Sequence, residues 1–210
     1  MGVIRALAIV AALAGAARAE VKVDWAAGLV TADGLGVADR HAPSPAVARG
    51  TSRRAAEDRA RHALREAIDA LPVAGGGKVG ARAKDAAVKA RLDRAIEAAF
   101  ATFAEPETDG AWRVTMAVPI EAVRQAIAGP RRLPEAGDAG PPVIVIDGVT
   151  ASPAVGTTVA GRDVATVWVT EPPAYARDAP HVRGHATAGA IALDGMQGTA
   201  ATLYVIVTAK

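Results

Sequence analysis

A long run of helical spacing between Ala46 and Leu71 most constrains the fold of this chain. Small and apolar side chains recur there at intervals of three and four, and charged residues occupy most positions between them. Ser44 and Pro45 suit the cap and first position of a helix, and Pro72 suits its end. We therefore expect one long amphipathic helix whose alanine-rich face allows close packing against a neighbour. The apolar face comprises Ala48, Ala56, Ala60, Ala63, Leu64, Ala67, Ile68 and Leu71.

Strand and helix patterns flank this helix on both sides. Val21, Val23 and Trp25 alternate with polar residues, which predicts a half-buried strand that continues through residues 28–37. Asp33 and Gly34 form a dipeptide typical of hairpin turns, so a turn is expected within that stretch. Residues 75–77 are three glycines and predict a flexible break. A second helix is predicted over residues 85–100 from its apolar spacing.

A hairpin is predicted next, with strands over residues 101–105 and 112–118 and a turn over residues 107–110. A short helix over residues 120–128 follows it. Residues 129–142 are rich in proline and glycine and have no apolar period, which is typical of a linker.

The pattern beyond the linker predicts strands. Residues 143–146 form a compact apolar run that is expected to end at the Asp147-Gly148 dipeptide. Further strands are predicted over residues 164–169, 186–193 and 203–207, with a proline-bearing loop over residues 171–180. The fold class is therefore predicted as α+β. Residues 20–128 are expected to form one α+β unit, and residues 143–210 a smaller β-rich unit.

The first nineteen residues have the order of a secretory signal peptide. Arg5 is followed by an apolar run to Ala17, and Ala17-Arg18-Ala19 then offers small residues for cleavage before Glu20. An uncleaved anchor is the alternative. A lipoprotein signal would need a cysteine at the cleavage site, and the chain has none. We therefore expect an exported protein that works in the periplasm or outside the cell.

Charge and composition exclude several functional classes. Removal of Arg5 and Arg18 would leave 22 basic residues against 22 acidic ones, which is unlike the basic stripe of a nucleic-acid-binding protein. The absence of cysteine excludes disulfides, thiolate metal sites and cysteine nucleophiles. The seven aromatic residues are spread along the chain, which favours core anchors over a stacking platform.

The residues that could carry chemistry are few. His181 and His185 are four apart and could bind zinc from one helix face, with Asp178 as a third ligand, but Pro180 and Gly184 favour a solvated loop. Residues 75–80, GGGKVG, lack the spacing of a phosphate loop and predict a turn. None of the three serines lies in a nucleophile elbow, and Ser44 is expected to cap a helix. His41 and His62 stand alone, and a surface role is expected for His62. The serines are Ser44, Ser52 and Ser152.

The order of elements over residues 20–128 resembles a known family. Trp25 and Gly28 precede a long helix whose Ala/Arg pattern runs from Ala48-Arg49 through Arg53 and Ala55, and the hairpin ends in the sequence DGAWRVTMAVPIEAV at 109–123. This order is similar to the LPP-type envelope lipoproteins of Gram-negative bacteria and to the N-terminal domain of the flagellar assembly protein T family. The resemblance implies an α+β domain in the periplasm or at the outer membrane, with a non-catalytic role. The chain departs from the lipoproteins because it lacks their lipidated cysteine, and the resemblance transfers no site residues.

The sequence as a whole predicts an exported, non-catalytic envelope protein that binds another protein during outer-membrane or surface assembly, for example of a flagellum-like structure. No catalytic, cofactor-binding or metal-binding residue is assigned, and no cofactor or nucleic-acid partner is expected. After signal cleavage no integral membrane span is expected. The alternative is a secreted hydrolase, metal-assisted through His181 and His185, and a peripheral membrane protein is the third hypothesis, disfavoured because the alanine-rich helix is only weakly apolar.

Overall fold

The computed structural model describes residues 19–131 and 140–208 and confirms a mixed α+β fold. The predicted signal peptide, apart from Ala19, and most of the predicted linker lie outside the described residues. The described helices are α1 (Pro45–Ala70), α2 (Val79–Arg82), α3 (Ala86–Glu97) and α4 (Ile120–Ala128), with a 3-10 turn at Ala174–Ala176. The strands are β1 (Val21–Asp24), β2 (Leu29–Gly36), β3 (Phe100–Pro106), β4 (Trp112–Pro119), β5 (Val143–Val149), β6 (Thr158–Val159), β7 (Ala165–Val169), β8 (His181–Thr187), β9 (Ala190–Asp194) and β10 (Leu203–Thr208).

The first sheet is antiparallel, with the strand order β1-β2-β4-β3, and it lies wholly within residues 20–128. Helix α1 packs on one of its faces, where Val30, Val114 and Val118 are fully buried. Leu64 and Ile68 of α1 complete this core. The alternation of buried and partly exposed residues along β2 shows that the opposite face is open to solvent.

Helix α1 can approach β2 closely because β2 presents glycine to it. A Cβ atom at Gly34 would lie 2.8 Å from the backbone nitrogen of Ala60, and closer still to the carbonyl oxygen of Ala56. A Cβ atom at Gly36 would likewise collide with the backbone of Ser52 and Ala56. The alanines of α1 therefore pack backbone against backbone, as the small side chains of this helix predict.

Both long helices begin at the residues that the sequence predicts. The hydroxyl of Ser44 accepts a hydrogen bond from the backbone N–H of Val47 at 3.3 Å. The carboxylate of Asp85 accepts from the N–H groups of Ala87 at 2.7 Å and Val88 at 3.1 Å. Each cap satisfies amides that the first helical turn leaves without a partner.

The second sheet has the strand order β6-β9-β8-β5-β10-β7 and lies within residues 143–210. Strands β7, β10, β5 and β8 run parallel to one another, and β9 runs antiparallel to β8. One face buries a large core that includes Trp168 and Tyr204. On the other face, Ala176 of the 3-10 turn covers Val145 and Val205.

Contacts at several points join residues 20–128 to residues 143–208. The backbone N–H of Trp168 donates to the backbone carbonyl oxygen of Trp25 at 3.3 Å. The backbone N–H of Val155 donates to the carbonyl oxygen of Pro72, and the carbonyl oxygen of Val155 accepts from the N–H of Ala74, both at 2.9 Å. Gly189 has a positive φ, and a side chain at this position would collide with the backbone of Gly75.

An ion-pair cluster adds a further connection between the units. Arg124 is 3% exposed, and its guanidinium contacts Glu121 of the same helix and Asp163 of the second unit, the latter at 2.7 Å. Arg131 contacts the same two carboxylates, at 2.8 Å and 3.3 Å. We call these four residues the junction cluster.

Three local predictions are wrong. Asp33 and Gly34 lie inside β2, and the turn between β1 and β2 falls at residues 25–28 instead. Asp147 and Gly148 continue β5 to Val149. The strand predicted over residues 186–193 is the end of β8, a turn at residues 188–189 and the start of β9. The short helix α2 is an element that the sequence pattern does not predict.

No helix within residues 19–131 and 140–208 is both long and apolar enough to cross a membrane. Helix α1 has the required length, with 26 residues, but it carries charged side chains along its exposed face.

Candidate functional site

His181 and His185 lie on strand β8, so the predicted solvated loop is wrong at this position. Buried and exposed residues alternate along the strand, and His181, Arg183 and His185 share its exposed face. Val182 is buried on the other face, as is Gly184, where a Cβ atom would press against Ile146 and Ile191. Four steps along an extended strand place the α-carbons of His181 and His185 roughly 13 Å apart.

Each histidine instead has a carboxylate of its own on a neighbouring strand. His181 Nδ1 lies 2.7 Å from Asp147 Oδ2 on β5, and His185 Nε2 lies 2.6 Å from Asp194 Oδ2 on β9. Arg183 stands directly opposite both aspartates in the strand register. The result is a polar stripe across three strands, in which opposite charges alternate.

The stripe has the chemistry of a solvated surface. The side chains of both pairs are about half exposed, between 46% and 59%, and exposed pairs contribute only about 0–1 kcal/mol to stability. Asp178 is not a partner of either histidine. Among the described residues, no three side chains of histidine, aspartate or glutamate are grouped so that they could hold a metal ion. The structure therefore does not bring His181, His185 and Asp178 together.

Sequence reasoning missed Asp147 and Asp194 as the partners of the histidines. Both aspartates precede a glycine at the end of an apolar run, and in that position an aspartate looks like a turn residue. The signal that could have found them is the alternation of polar and apolar residues over 181–185, which predicts a strand.

The other sequence candidates have structural roles. Ser44 caps α1 as predicted, and Ser52 is 1% exposed and lies 3.0 Å from the carbonyl oxygens of Arg49 and Gly110. His62 is exposed and lies 3.4 Å from Glu66, one helical turn away. His41 lies in a turn next to Asp39, and Ser152 is exposed in the loop after β5. Residues 75–80 form a turn followed by the start of α2, as expected for a glycine-rich break.

The open side of the first sheet is the strongest candidate for a binding surface. We call it the outer sheet face and define it by Leu35 of β2, Phe100 and Phe103 of β3, and Arg113 and Thr115 of β4. The strand register places these side chains on the side away from α1. Leu35, Phe100 and Phe103 are 38%, 46% and 45% exposed. The prediction that the aromatic residues are core anchors is therefore wrong for both phenylalanines, and also for Tyr175, which is 59% exposed.

The polar members of the outer sheet face have partners on neighbouring strands and loops. Thr115 donates a hydrogen bond of 2.7 Å to Asp33 across the β2–β4 pair. Arg113 contacts Glu107 at 3.2 Å. The phenyl rings thus stand on a partly polar sheet surface, which is the usual composition of a protein-binding patch.

The β3 edge of the sheet has two features that disfavour pairing with another strand. Strand β3 is one of the two edge strands of this sheet, with β1 at the other edge, and all seven of its residues are exposed. Pro106 lacks a backbone donor, and the register shift between Ala101 and Phe103 interrupts the edge. Proline and bulges are the devices that prevent pairing at sheet edges. Contact through side chains of the outer sheet face is therefore favoured over strand addition.

Comparison of the chain with family models, with curated proteins and with solved structures finds no match. The resemblance of residues 20–128 to envelope lipoproteins and to the flagellar assembly domain consequently stays a prediction.

Proposed function

We propose that this chain is an exported, non-catalytic protein of the cell envelope that binds a protein partner through the outer sheet face. In this proposal it serves as an accessory of outer-membrane or surface assembly, in the periplasm or outside the cell. The signal-peptide pattern of residues 1–19 supports export, and the resemblance over residues 20–128 supports the assembly role.

The observation that carries the binding proposal is the exposure of Phe100 and Phe103 on the same face of strand β3. A phenylalanine presents on the order of 200 Å² in total, so roughly 90 Å² of each ring meets water. Burying that area against a partner would contribute about 2 kcal/mol per ring. Two adjacent rings could therefore supply the apolar centre of a specific interface.

The test is capture of partners from cells. The tagged chain is crosslinked in cells, purified from the envelope fraction and analysed by mass spectrometry. The variant Phe100→Ser/Phe103→Ser removes the proposed contacts, and Tyr175→Ser is the control, because Tyr175 is 59% exposed on the second unit. We expect an envelope assembly component to be enriched with the wild type and the control and to be lost with the double variant.

Two results would contradict the proposal. One is equal enrichment of the same partner by the wild type and a folded double variant, because the outer sheet face would then be irrelevant. The other is the absence of any specific envelope partner in a sample whose folding is verified by circular dichroism.

A further inference from the structure

A cleft of about 350 Å³ opens between the two units on the side of the junction cluster. This volume lies at the small end of the roughly 300–1,000 Å³ typical of small-molecule sites. Most of its lining is apolar and comes from both units: Trp25, Leu29, Ile120, Val155, Trp168 and Leu203.

One wall of the cleft is the edge of the second sheet. Strand β7 is the last strand of that sheet, and β10 pairs with only one of its sides. Trp168 N–H points to the other side, where it meets the Trp25 carbonyl. Backbone groups alternate between the two sides along a strand, so the N–H and C=O of Thr166 point the same way as those of Trp168. Thr166 lines the cleft, and among the described residues its N–H has no backbone partner.

The open part of the β7 edge is short, because contacts close it at both ends. The Trp168–Trp25 hydrogen bond closes one end, and the contacts of Asp163 with Arg124 and Arg131 close the other. Residues 164–167 remain between them, a span of roughly 13 Å. That length accommodates a short molecule with one or two amide groups and an apolar substituent, such as an amino acid blocked at both ends.

The charges in the wall favour an uncharged occupant. Arg124 and Arg131 are balanced by Glu121 and Asp163 within the junction cluster. Nε, Nη1 and Nη2 of the buried Arg124 all contact protein oxygen atoms already. A charged ligand would lose hydration in this cleft without meeting an uncompensated opposite charge.

We propose that the cleft binds a small uncharged amide. The carbonyl oxygen of its amide accepts a hydrogen bond from the backbone N–H of Thr166, which has no backbone partner among the described residues, and its apolar substituent lies against Trp25 and Trp168. This site is separate from the outer sheet face and does not depend on the protein-binding proposal.

The experiment titrates the purified chain with N-acetyl-leucinamide while the three indole N–H signals are followed by NMR. Trp25 and Trp168 line the cleft, and Trp112 lies in the first sheet beside Arg53, where it reports non-specific effects. For a probe of this size we expect Kd on the order of 1 mM. The signals of Trp25 and Trp168 should shift and saturate, and that of Trp112 should not. N-acetyl-leucine, which is the charged analogue, should bind about tenfold more weakly.

Paired variants localise the site. Ala27 is exposed at the cleft, so Ala27→Phe should obstruct the cleft without disturbing the core. Its neighbour Ala26 is also exposed but does not line the cleft, so Ala26→Phe is the control. Thr166→Pro removes the proposed donor from an edge position, where proline is tolerated, and Thr166→Val keeps the donor. We expect Ala27→Phe and Thr166→Pro to weaken binding about tenfold and the controls to bind within about twofold of the wild type.

The absence of a saturable shift at Trp25 and Trp168 in the folded wild type would overturn the proposal. So would unchanged affinity in Ala27→Phe. Equal affinity for the charged analogue would overturn the assignment of an uncharged ligand.

Discussion

Substitution of Gly34 by alanine tests the packing of α1 on β2, which positions the outer sheet face. Atoms essentially never approach a Cβ within 3.0 Å, yet the new methyl group would stand 2.8 Å from Ala60 N and nearer to Ala56 O. Both obstacles are backbone atoms, so no rotamer change relieves them. The helix must move by on the order of 1 Å, and overpacking of this kind costs about 1–3 kcal/mol.

The cost should reach the upper end of that range, about 3 kcal/mol, because the movement also separates Leu64 and Ile68 from the sheet. Gly50→Ala, in the helix α1 that packs on Gly34, provides the control for adding a methyl group where there is space. Gly50 is exposed, and a methyl group added there would have no atom within 4 Å, so alanine should stabilise the protein by about 0.5–1 kcal/mol. Urea unfolding of the purified chain measures both effects. Equal stability of Gly34→Ala and the wild type would contradict the close packing of α1 on Gly34.

Two further predictions concern the junction cluster and the cap of α3. Arg124→Met leaves Glu121 and Asp163 without their buried partner and should lower the free energy of unfolding by about 2 kcal/mol. The control Arg177→Met, at an exposed site, should change the free energy of unfolding by less than about 0.5 kcal/mol. Indistinguishable urea midpoints of the two variants would contradict a stabilising role of Arg124. Hydrogen bonds from the backbone N–H groups of Val88 and Ala87 lower the pKa of Asp85 below its ordinary value. Its ionised form therefore stabilises the fold above that ordinary pKa, and this contribution disappears as the pH falls through the lowered pKa. The stability difference between the wild type and Asp85→Ala should thus be larger at about pH 7 than at about pH 2, and a difference independent of pH would contradict it.

The helices were predictable because their signals are local. Ser44 and Asp85 mark the starts of α1 and α3 through their own side chains, and the predicted helix over residues 120–128 coincides with α4. The hairpin of β3 and β4 was predictable for the same reason, since the turn dipeptide Asp109-Gly110 and the alternation of Val114, Met116 and Val118 lie close together in the sequence.

The errors arise where tertiary contacts decide the role of a residue. Gly34 and Gly148 each follow an aspartate and look like turn residues, but Gly34 is needed for the approach of α1, and Gly148 adopts a positive φ inside β5. A local pattern does not distinguish these uses of glycine.

The candidate surface was missed for a related reason. Phe100 and Phe103 have the composition of core residues, and only the placement of the helices on one face of the first sheet leaves them exposed. Likewise, the strand order of the second sheet brings Asp147 and Asp194 to the two histidines. Neither arrangement follows from spacing along the chain.

The most direct test of the central claim is photo-crosslinking in living cells with a photoreactive amino acid at position 103. The same amino acid at position 175 serves as the control on the second unit. We predict a discrete crosslinked product with one envelope protein from position 103 and none with that protein from position 175. Identical products from both positions, or none from position 103 in a folded protein, would contradict binding through the outer sheet face.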